Sequence, residues 1–166
     1  METFRIIEGF ENYSVSDHGN VKNNKTARIM KQTIQHGYHS VALTTGANKF
    51  NRKVHILVLN AFLNNLENKR CVDHIDNDKS NNNISNLRWA THTDNGRNQT
   101  ISKANKSGIK GVHWNKGANK WQASITIDCI LIYLGLFDRL EDAKQARITR
   151  ANQAFGVFTN ACEKII

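Results

Sequence analysis

A polar segment near the middle of the chain holds the residues best suited to chemistry. Asp73 and His74 are adjacent, and Asn86 and Asn95 follow Asp73 by 13 and 22 residues. Carboxylate and amide oxygens are hard ligands that suit Mg²⁺ or Mn²⁺, and a neutral imidazole beside them can take a proton from water near pH 7. Phosphodiester cleavage needs both parts, a base for the water and a cation for the developing charge.

The same segment also contains an incomplete calcium-loop pattern. Asp76, Asp78 and Ser80 stand at positions 1, 3 and 5 of an EF-hand loop, but position 6 is Asn81 and position 12 is Leu87, where that loop needs a glycine and a bidentate glutamate. A surface loop whose Asp, Asn and Ser side chains form its turns fits better. The four site candidates could likewise be only loop and capping residues, but their spacing together favours a hydrolytic site.

The elements that must position these residues are short strands and helices. Val72 and Leu87–Thr91 predict two strands with a long polar loop between them, and Thr93 is a suitable N-cap for a helix to about Ser102. Before them, residues 54–62 place apolar side chains on one face of a helix. Alternating apolar residues in the first 50 positions predict short strands, including a hairpin.

The last third of the chain predicts a small sheet backed by a helix. After a polar linker at residues 102–108, strands are expected at 110–115, 121–127 and 130–137, with a free and polar outer face. Asp138, with a glutamate three residues later, predicts the cap of the final helix.

The segment "CVDHIDNDKSNNNISNLRWATHTDN" resembles the HNH motif of homing endonucleases from phages and group I introns. The resemblance implies a ββα-metal fold in which Asp73 and Asn95 bind a divalent metal, Mg²⁺ or Mn²⁺, and His74 is the general base. It also implies that Asn86 pins the loop and orients His74 through backbone hydrogen bonds. The motif lacks a final histidine, so the metal would be bound weakly without DNA phosphates.

The preceding segments, from "FRIIEGFENYSVSDHGNVKN" to "KVHILVLNAF", resemble the module that comes before the motif in such endonucleases. In that family the module forms small sheets against DNA, and the helix packs on the nuclease core. His55, within the helix, is interpreted as structural because its neighbours are packing residues. The basic residues that become candidates for phosphate contacts are Lys22, Lys25, Arg28, Lys31, Arg52 and Lys53, together with Arg97 after the motif.

The C-terminal segment, with its skeleton "GVHW…KWQASI…LGLF…EDAKQA", resembles the plant apetala or ethylene-response-factor type of DNA-binding domain. That resemblance implies a three-stranded sheet in the major groove of DNA with a helix behind it. Few arginines occupy the sheet, so guanine readout by arginine is not expected, and phosphate contacts by lysines would dominate. The residues that would face DNA are Lys110, His113, Asn115, Lys120, Gln122, Ser124, Thr126 and Tyr133.

The composition agrees with a polyanion partner. The 166 residues carry a formal net charge of +9, with the excess of Lys and Arg in residues 1–66 and 101–166 and none in residues 67–100. Basic flanks suggest nucleic acid. Three cysteines without a CxxC pair argue against a disulfide framework or a zinc site. Without an apolar run near twenty residues or a signal-peptide pattern, a cytoplasmic protein without a membrane span is expected.

These patterns together predict an α+β chain. Its expected parts are an N-terminal small β-sheet module (1–53), a central ββα-metal HNH nuclease core (54–101), a linker (102–108) and the three-stranded sheet plus helix (109–166). The expected function is a metal-dependent endonuclease of double-stranded DNA, of the homing or nicking type, acting as a monomer in the host cell of a phage, virus or mobile intron. The alternative is a non-catalytic, sequence-specific DNA-binding regulator with a degenerate nuclease fold. An RNA-binding module ranks last, because the paired exposed aromatics of single-strand binders are missing.

Overall fold

The computed structural model describes residues 1–163, and the chain divides into two compact units, Met1–Asn95 and Gly96–Ile166. The predicted boundaries at residues 53 and 101 stay predictions, since the division found lies between Asn95 and Gly96. Within residues 1–163, each helix is too short or too polar to cross a membrane.

The first unit holds small antiparallel sheets around one helix. The first sheet contains β1 (Phe4–Ile7), β2 (Phe10–Ser16) and β3 (Val21–Asn23), and the second contains β4 (Thr33–Gln35), β5 (Tyr38–Thr45) and β6 (Asn48–Lys53). Helix α1 (Val54–Phe62) follows, and then come the paired strands β7 (Cys71–His74) and β8 (Leu87–Ala90), and helix α2 (His92–Asn98). The predicted hairpin, helix and strand pair are therefore confirmed.

One hydrophobic core joins these elements. Val15 and Leu43 from the two sheets are fully buried, as are Val58 and Leu59 of α1, and Leu87 of β8 belongs to the same cluster. The strands that carry the polar segment are thus fixed to the sheets that precede them by packing of apolar side chains.

Helix α2 begins earlier than predicted. The Thr91 hydroxyl oxygen accepts a hydrogen bond from the Asp94 backbone N–H at 3.1 Å, and the Asp94 carboxylate accepts one from the Thr91 backbone N–H at 3.0 Å. This reciprocal pair is a capping box, so the prediction of Thr93 as the cap was wrong. The helix also ends at Asn98 and not near Ser102.

The second unit contains the predicted sheet and helix. Strands β9 (Val112–Asn115), β10 (Lys120–Ile127) and β11 (Ile130–Phe137) form one antiparallel sheet in the order β11-β10-β9, followed by α3 (Leu140–Phe155). The first strand starts at Val112, so Lys110 lies outside it. Ala123 and Val112 of the sheet pack with Ala143 of α3.

Two expectations for this unit were wrong. The cap of α3 is Arg139, which makes no side-chain capping bond, while the Asp138 carboxylate lies 3.1 Å from the Lys120 ammonium. The outer face of the sheet is also not purely polar. Leu131 and Tyr133 of β11 pair with Thr126 and Ser124 and are 71% and 57% exposed.

Helix α3 carries a buried cation on a face that reads as mostly alanine. The Arg147 guanidinium lies 2.8 Å from the Glu163 carboxylate, and the two side chains are 6% and 0% exposed. Burial raises the pKa of Glu163 and lowers the pKa of Arg147, and each charge partly offsets the effect on the other.

Candidate active site

Short-range hydrogen bonds shape the loop between β7 and β8. The Asp76 carboxylate accepts from the Asp78 backbone N–H at 2.8 Å, and the Asp78 carboxylate accepts from the Ser80 backbone N–H at 2.8 Å. The Asn81 amide donates to the second Asp76 oxygen at 2.7 Å. These are turn-forming bonds of Asp and Asn side chains, so the interpretation of Asp76 and Asp78 as turn formers is confirmed.

Asn86 fastens the end of this loop to its beginning. Its side-chain oxygen accepts from the Asp76 backbone N–H at 3.0 Å, and its side-chain nitrogen donates to an Asp76 carboxylate oxygen at 2.8 Å and to the Asn81 carbonyl at 2.9 Å. Its backbone carbonyl accepts from the Ile75 N–H at 2.9 Å. Asn86 thereby fixes the backbone directly after His74, the arrangement that the HNH resemblance implies.

His74 is buried at the end of β7. Its Nε2 lies 3.3 Å from the side-chain oxygen of Asn82, and the residue is 6% exposed. Burial lowers the pKa of His74, and the Asn82 bond and the nearby Asp76 and Asp73 carboxylates only partly offset this effect. The imidazole is therefore neutral at neutral pH, the form in which it can accept a proton.

Asn82 has a larger role than the sequence indicated. It was interpreted as one more turn former, but it is 5% exposed and contacts His74. Gly19, in the turn between β2 and β3, lies directly against it: a Cβ at Gly19, where φ is +87°, would come within 2.8 Å of the Asn82 Cβ. The Asp17 carbonyl in the same turn accepts from the Ile84 backbone N–H at 2.8 Å. The N-terminal hairpin thus supports the loop that holds His74.

A second histidine lies against the first. The His55 ring, on α1, is 5.2 Å from the His74 ring at an interplanar angle of 80°, and the Tyr38 ring is 4.8 Å from His55. Burial lowers the pKa of His55 to about 3, with further contributions from the charges of His74 and Lys53. Sequence reasoning placed His55 in a helix but missed this contact, because no spacing signal connects residues in different elements.

Asp73 is buried beside His74 and pairs with Arg88. The guanidinium donates to one carboxylate oxygen from Nε at 2.8 Å and from Nη2 at 2.6 Å. The two residues are directly opposite in the antiparallel register of β7 and β8. Sequence reasoning did not predict this ion pair.

Asn95 is tied to the strand that carries Asp73. Its amide nitrogen donates to the Val72 carbonyl at 3.2 Å, which fixes the side chain one residue from Asp73. Its amide oxygen is buried and has no hydrogen-bond partner within residues 1–163. A buried oxygen without a partner is unfavourable unless something absent from the protein alone completes it.

The donors at this place fit a hard divalent cation. A carboxylate and an unpartnered amide oxygen are the ligand types that Mg²⁺ and Mn²⁺ accept. Within residues 1–163, no three His, Cys, Asp or Glu side chains come together as a metal site. The chain would therefore supply only part of a coordination shell at Asp73 and Asn95.

The predicted DNA contacts of the first unit are mostly at its surface. Lys25, Arg28, Lys31, Arg52 and Lys53 are exposed. Lys22 is half-buried, with its ammonium 4.3 Å from the centre of the Phe4 ring.

The candidates in the second unit are less uniform. His113, Thr126 and Tyr133 are exposed, and Asn115, Lys120, Gln122 and Ser124 are half-buried. The Lys110 ammonium turns inward and donates to the Arg97 carbonyl at 2.9 Å, and the Arg97 guanidinium lies 4.7 Å from the Phe155 ring centre. Burial lowers the pKa of Lys110. Lys110 and Arg97 therefore use their side chains inside this unit.

The comparisons with known proteins agree with the geometry of the first unit. Residues 52–97 match the family described as HNH endonuclease, and residues 2–44 match the NUMOD4 motif. Most of residues 2–97 is therefore similar to a NUMOD4 motif followed by an HNH endonuclease domain.

Three similar proteins come from two viruses. An uncharacterized HNH endonuclease, L247, of Acanthamoeba polyphaga mimivirus is 46% identical over 79 residues, which are 46% of this chain and 20% of that protein. A second from the same virus, L245, is 34% identical over 73 residues, or 44% of this chain and 22% of that protein. The DNA endonuclease I-HmuI of Bacillus phage SP01 is 39% identical over 81 residues, or 48% of this chain and 47% of that protein.

The fold also resembles a solved structure. A structure of DNA binding and cleavage by the HNH homing endonuclease I-HmuI has 27% sequence identity and a TM-score of 0.55, and the match covers 93% of this chain and 92% of that one. The predicted α+β fold class is therefore confirmed. The chain spans less than half the length of each of the three curated relatives.

Proposed function

We propose that this protein is a metal-dependent endonuclease that hydrolyses phosphodiester bonds in double-stranded DNA. The observation that carries the proposal is a buried, neutral His74 next to the Asp73 carboxylate at the end of β7, together with an unpartnered oxygen on Asn95, whose amide nitrogen bonds to the same strand. These are a base and two hard ligands, and the HNH match covers all of them.

His74 would take the proton from the attacking water. Its Nε2 faces the Asn82 oxygen, which favours the tautomer with hydrogen on Nε2, so that the lone pair lies on Nδ1. As Nδ1 accepts the proton, the water oxygen bonds to phosphorus, the bond from phosphorus to the 3′-oxygen breaks, and solvent protonates that oxygen. Asn86 would hold the imidazole in place through the loop backbone.

Asp73 and Asn95 would hold the divalent metal, Mg²⁺ or Mn²⁺. When bound, such an ion supplies positive charge for the phosphate and for the leaving oxygen. The Arg88 guanidinium holds the Asp73 carboxylate in its orientation. DNA phosphate oxygens and water would supply the rest of the coordination shell.

Both flanks would bind the DNA. The exposed basic residues of the first unit and the outer face of the sheet in the second are proposed as contact surfaces, the latter in the manner of an ethylene-response-factor-like domain. If about six phosphates are neutralised, a plot of the logarithm of the DNA-binding constant against the logarithm of the salt concentration would have a slope of about −5. The phage relative, a homing endonuclease by its name, supports a site-specific enzyme of a mobile element inside its host cell.

One HNH centre per chain favours a monomer that cuts one strand. The other candidate function, a DNA-binding regulator without catalysis, shares the basic flanks. The intact set of Asp73, His74 and Asn95 favours the enzyme over the regulator.

The test uses the full chain with a library of supercoiled plasmids carrying random inserts, so that the target need not be known. We expect Mg²⁺- or Mn²⁺-dependent nicking of a subset of plasmids, and no nicking by His74→Ala or after chelation. The matched control is His36→Asn, an exposed histidine at φ 51°, a conformation that asparagine tolerates. Specific binding without nicking under every metal condition would favour the regulator instead.

A further inference from the structure

Tyr38 lies between the candidate catalytic centre and two cations. Its ring is 4.8 Å from His55 and 6.1 Å from His74. The Lys53 ammonium is 4.8 Å from the centre of the Tyr38 ring, and the Lys79 ammonium is 4.6 Å from it. One aromatic side chain thus lies against both histidines and is contacted by two ammonium groups.

The two lysines come from different elements. Lys53 ends β6 and Lys79 lies in the loop between β7 and β8, so the fold and not local sequence brings them together. Gly37 contributes to this arrangement: its φ is +80°, and a Cβ there would be 3.7 Å from the Lys79 side chain. The methylenes of Lys79 therefore run along bare backbone toward the ring.

The charge at this position is unbalanced. Within residues 1–163, neither Lys53 nor Lys79 forms an ion pair with a carboxylate. A cation over an aromatic ring is stabilised by only about 0.5–1 kcal/mol at an exposed site, whereas two neighbouring cations repel each other. An anion bound between them would remove that repulsion.

We propose that Lys53 and Lys79, fixed by Tyr38, bind a backbone phosphate of the cleaved DNA strand next to the phosphate that is cut. This inference rests on the proposed endonuclease function. Lys53 was already a general candidate for phosphate contact, but Lys79 and Tyr38 were not, and the proposal assigns the group a single phosphodiester beside His74. Successive phosphates of one strand follow every ~3.4 Å along the duplex axis, so a cation pair one tyrosine ring away from His74 is within reach of a neighbouring phosphate.

The ring would serve as a platform and not as a chemical group. It limits the motion of two long side chains whose rotamer freedom would otherwise be lost on binding. Tyr38→Phe should therefore keep the function, whereas Tyr38→Leu should lose much of it.

The experiment compares Lys53→Gln, Lys79→Gln and the double variant with Lys49→Gln, an exposed lysine on the same strand as Lys53. Lys53 makes no side-chain cap bond to α1, so its replacement does not remove a helix cap. Single-turnover cleavage is measured against enzyme concentration and salt. We expect the double variant to need about tenfold more enzyme for half-maximal rate, with little change in the maximal rate, and to show a salt slope smaller by about 1.

A second measurement locates the phosphate. DNA substrates carry one neutral methylphosphonate linkage at each position around the cut in the cleaved strand. A neutral linkage at one position next to the cut should raise the enzyme concentration that the wild type needs for half-maximal rate. The same linkage should cause no further increase for the double variant. A double variant that behaves as Lys49→Gln does, or that responds to every linkage as the wild type does, would overturn the proposal while leaving the endonuclease function intact. Absence of cleavage by the wild type would instead remove the proposed function itself.

Discussion

The rings of His55 and His74 meet edge to face, with their centres 5.2 Å apart. His74 is the candidate base, and His55 packs beside it from the helix that forms the core of the first unit. A helix of the hydrophobic core therefore contacts the candidate base through His55, and the charge of His74 contributes to lowering the pKa of His55.

The first prediction concerns acid stability. The pKa of His55 is about 3 in the folded protein and near about 6.5 in an unfolded chain. Between these values the unfolded state binds a proton at His55 that the folded state does not. The contribution of buried, neutral His55 to stability is therefore complete above about pH 6.5 and is lost progressively as the pH falls toward 3. As the pH is lowered through this window, the free energy of unfolding should decrease by up to about 1.4 kcal/mol per pH unit. His55→Phe should make this decrease smaller.

Urea unfolding at several pH values between about 4 and 7 measures this effect. His36→Asn serves as the control, since His36 is exposed. Equal acid slopes for the wild type and His55→Phe would contradict the prediction.

The second prediction concerns Gly19. Comparing it with another glycine of positive φ separates the cost of backbone strain from the effect of the contact with Asn82. Gly19→Ala should cost about 1–2 kcal/mol through its positive φ and should also displace Asn82, which lies 2.8 Å from the new Cβ. Gly9→Ala is matched to it, with φ +74° but nothing within 4 Å. Both variants should lose stability, and only Gly19→Ala should also lose cleavage, by about tenfold or more. Equal cleavage by the two variants at a temperature where both are folded would show that the contact between Gly19 and Asn82 does not support cleavage.

The third prediction concerns Arg88, which would compete with the proposed metal ion for Asp73. Arg88→Gln should make the metal-free protein less stable by about 3–5 kcal/mol, because it leaves a buried carboxylate without its partner. It should also let Mn²⁺ raise the melting temperature at a lower concentration than in the wild type. Thermal unfolding over a range of Mn²⁺ concentrations checks this, and Asp73→Asn should abolish the Mn²⁺ effect. A Mn²⁺ response of Asp73→Asn equal to that of the wild type would place the ion elsewhere.

The fourth prediction concerns the buried pair in the second unit. Glu163→Gln or Arg147→Met alone should destabilise the unit by about 3–5 kcal/mol, because each leaves a partner buried without its counterpart. The double variant Arg147→Met with Glu163→Gln should be less destabilised than the sum of the two single changes. Denaturant unfolding of the full chain measures all of them. Additive losses would mean that the two charges do not stabilise each other.

Periodic features of the sequence were predictable, and contacts between elements were not. Helix α1 and the strand pair around His74 follow from apolar spacing and turn residues, which are local signals. The two cap predictions show where local signals fail: Thr93 and Asp138 are of suitable residue types, but the helices begin from Thr91 and Arg139. For α2 the cap is a different local pattern, the reciprocal Thr91–Asp94 pair, whereas Arg139 makes no side-chain capping bond to α3.

The candidate site divides in the same way. Asp73, His74, Asn86 and Asn95 came from a motif. In the structure Asn86 bonds to the loop backbone and Asn95 bonds to the Val72 carbonyl. The contacts of His74 with His55 and Asn82 depend on tertiary packing, which one sequence does not display. The same is true of Arg147, a cation on the buried face of α3 between Ala143 and Ala151.

Asn95 is followed in α2 by Gly96. An asparagine before a glycine is prone to spontaneous deamidation, because the next backbone nitrogen attacks the side-chain amide and glycine offers no Cβ to obstruct it. Within a helix the backbone cannot easily adopt the conformation for that ring closure. Chains that spend time unfolded would therefore deamidate at Asn95 and refold with aspartate or isoaspartate at this position. The working lifetime of the candidate metal ligand thus depends on how well a helix of seven residues stays formed.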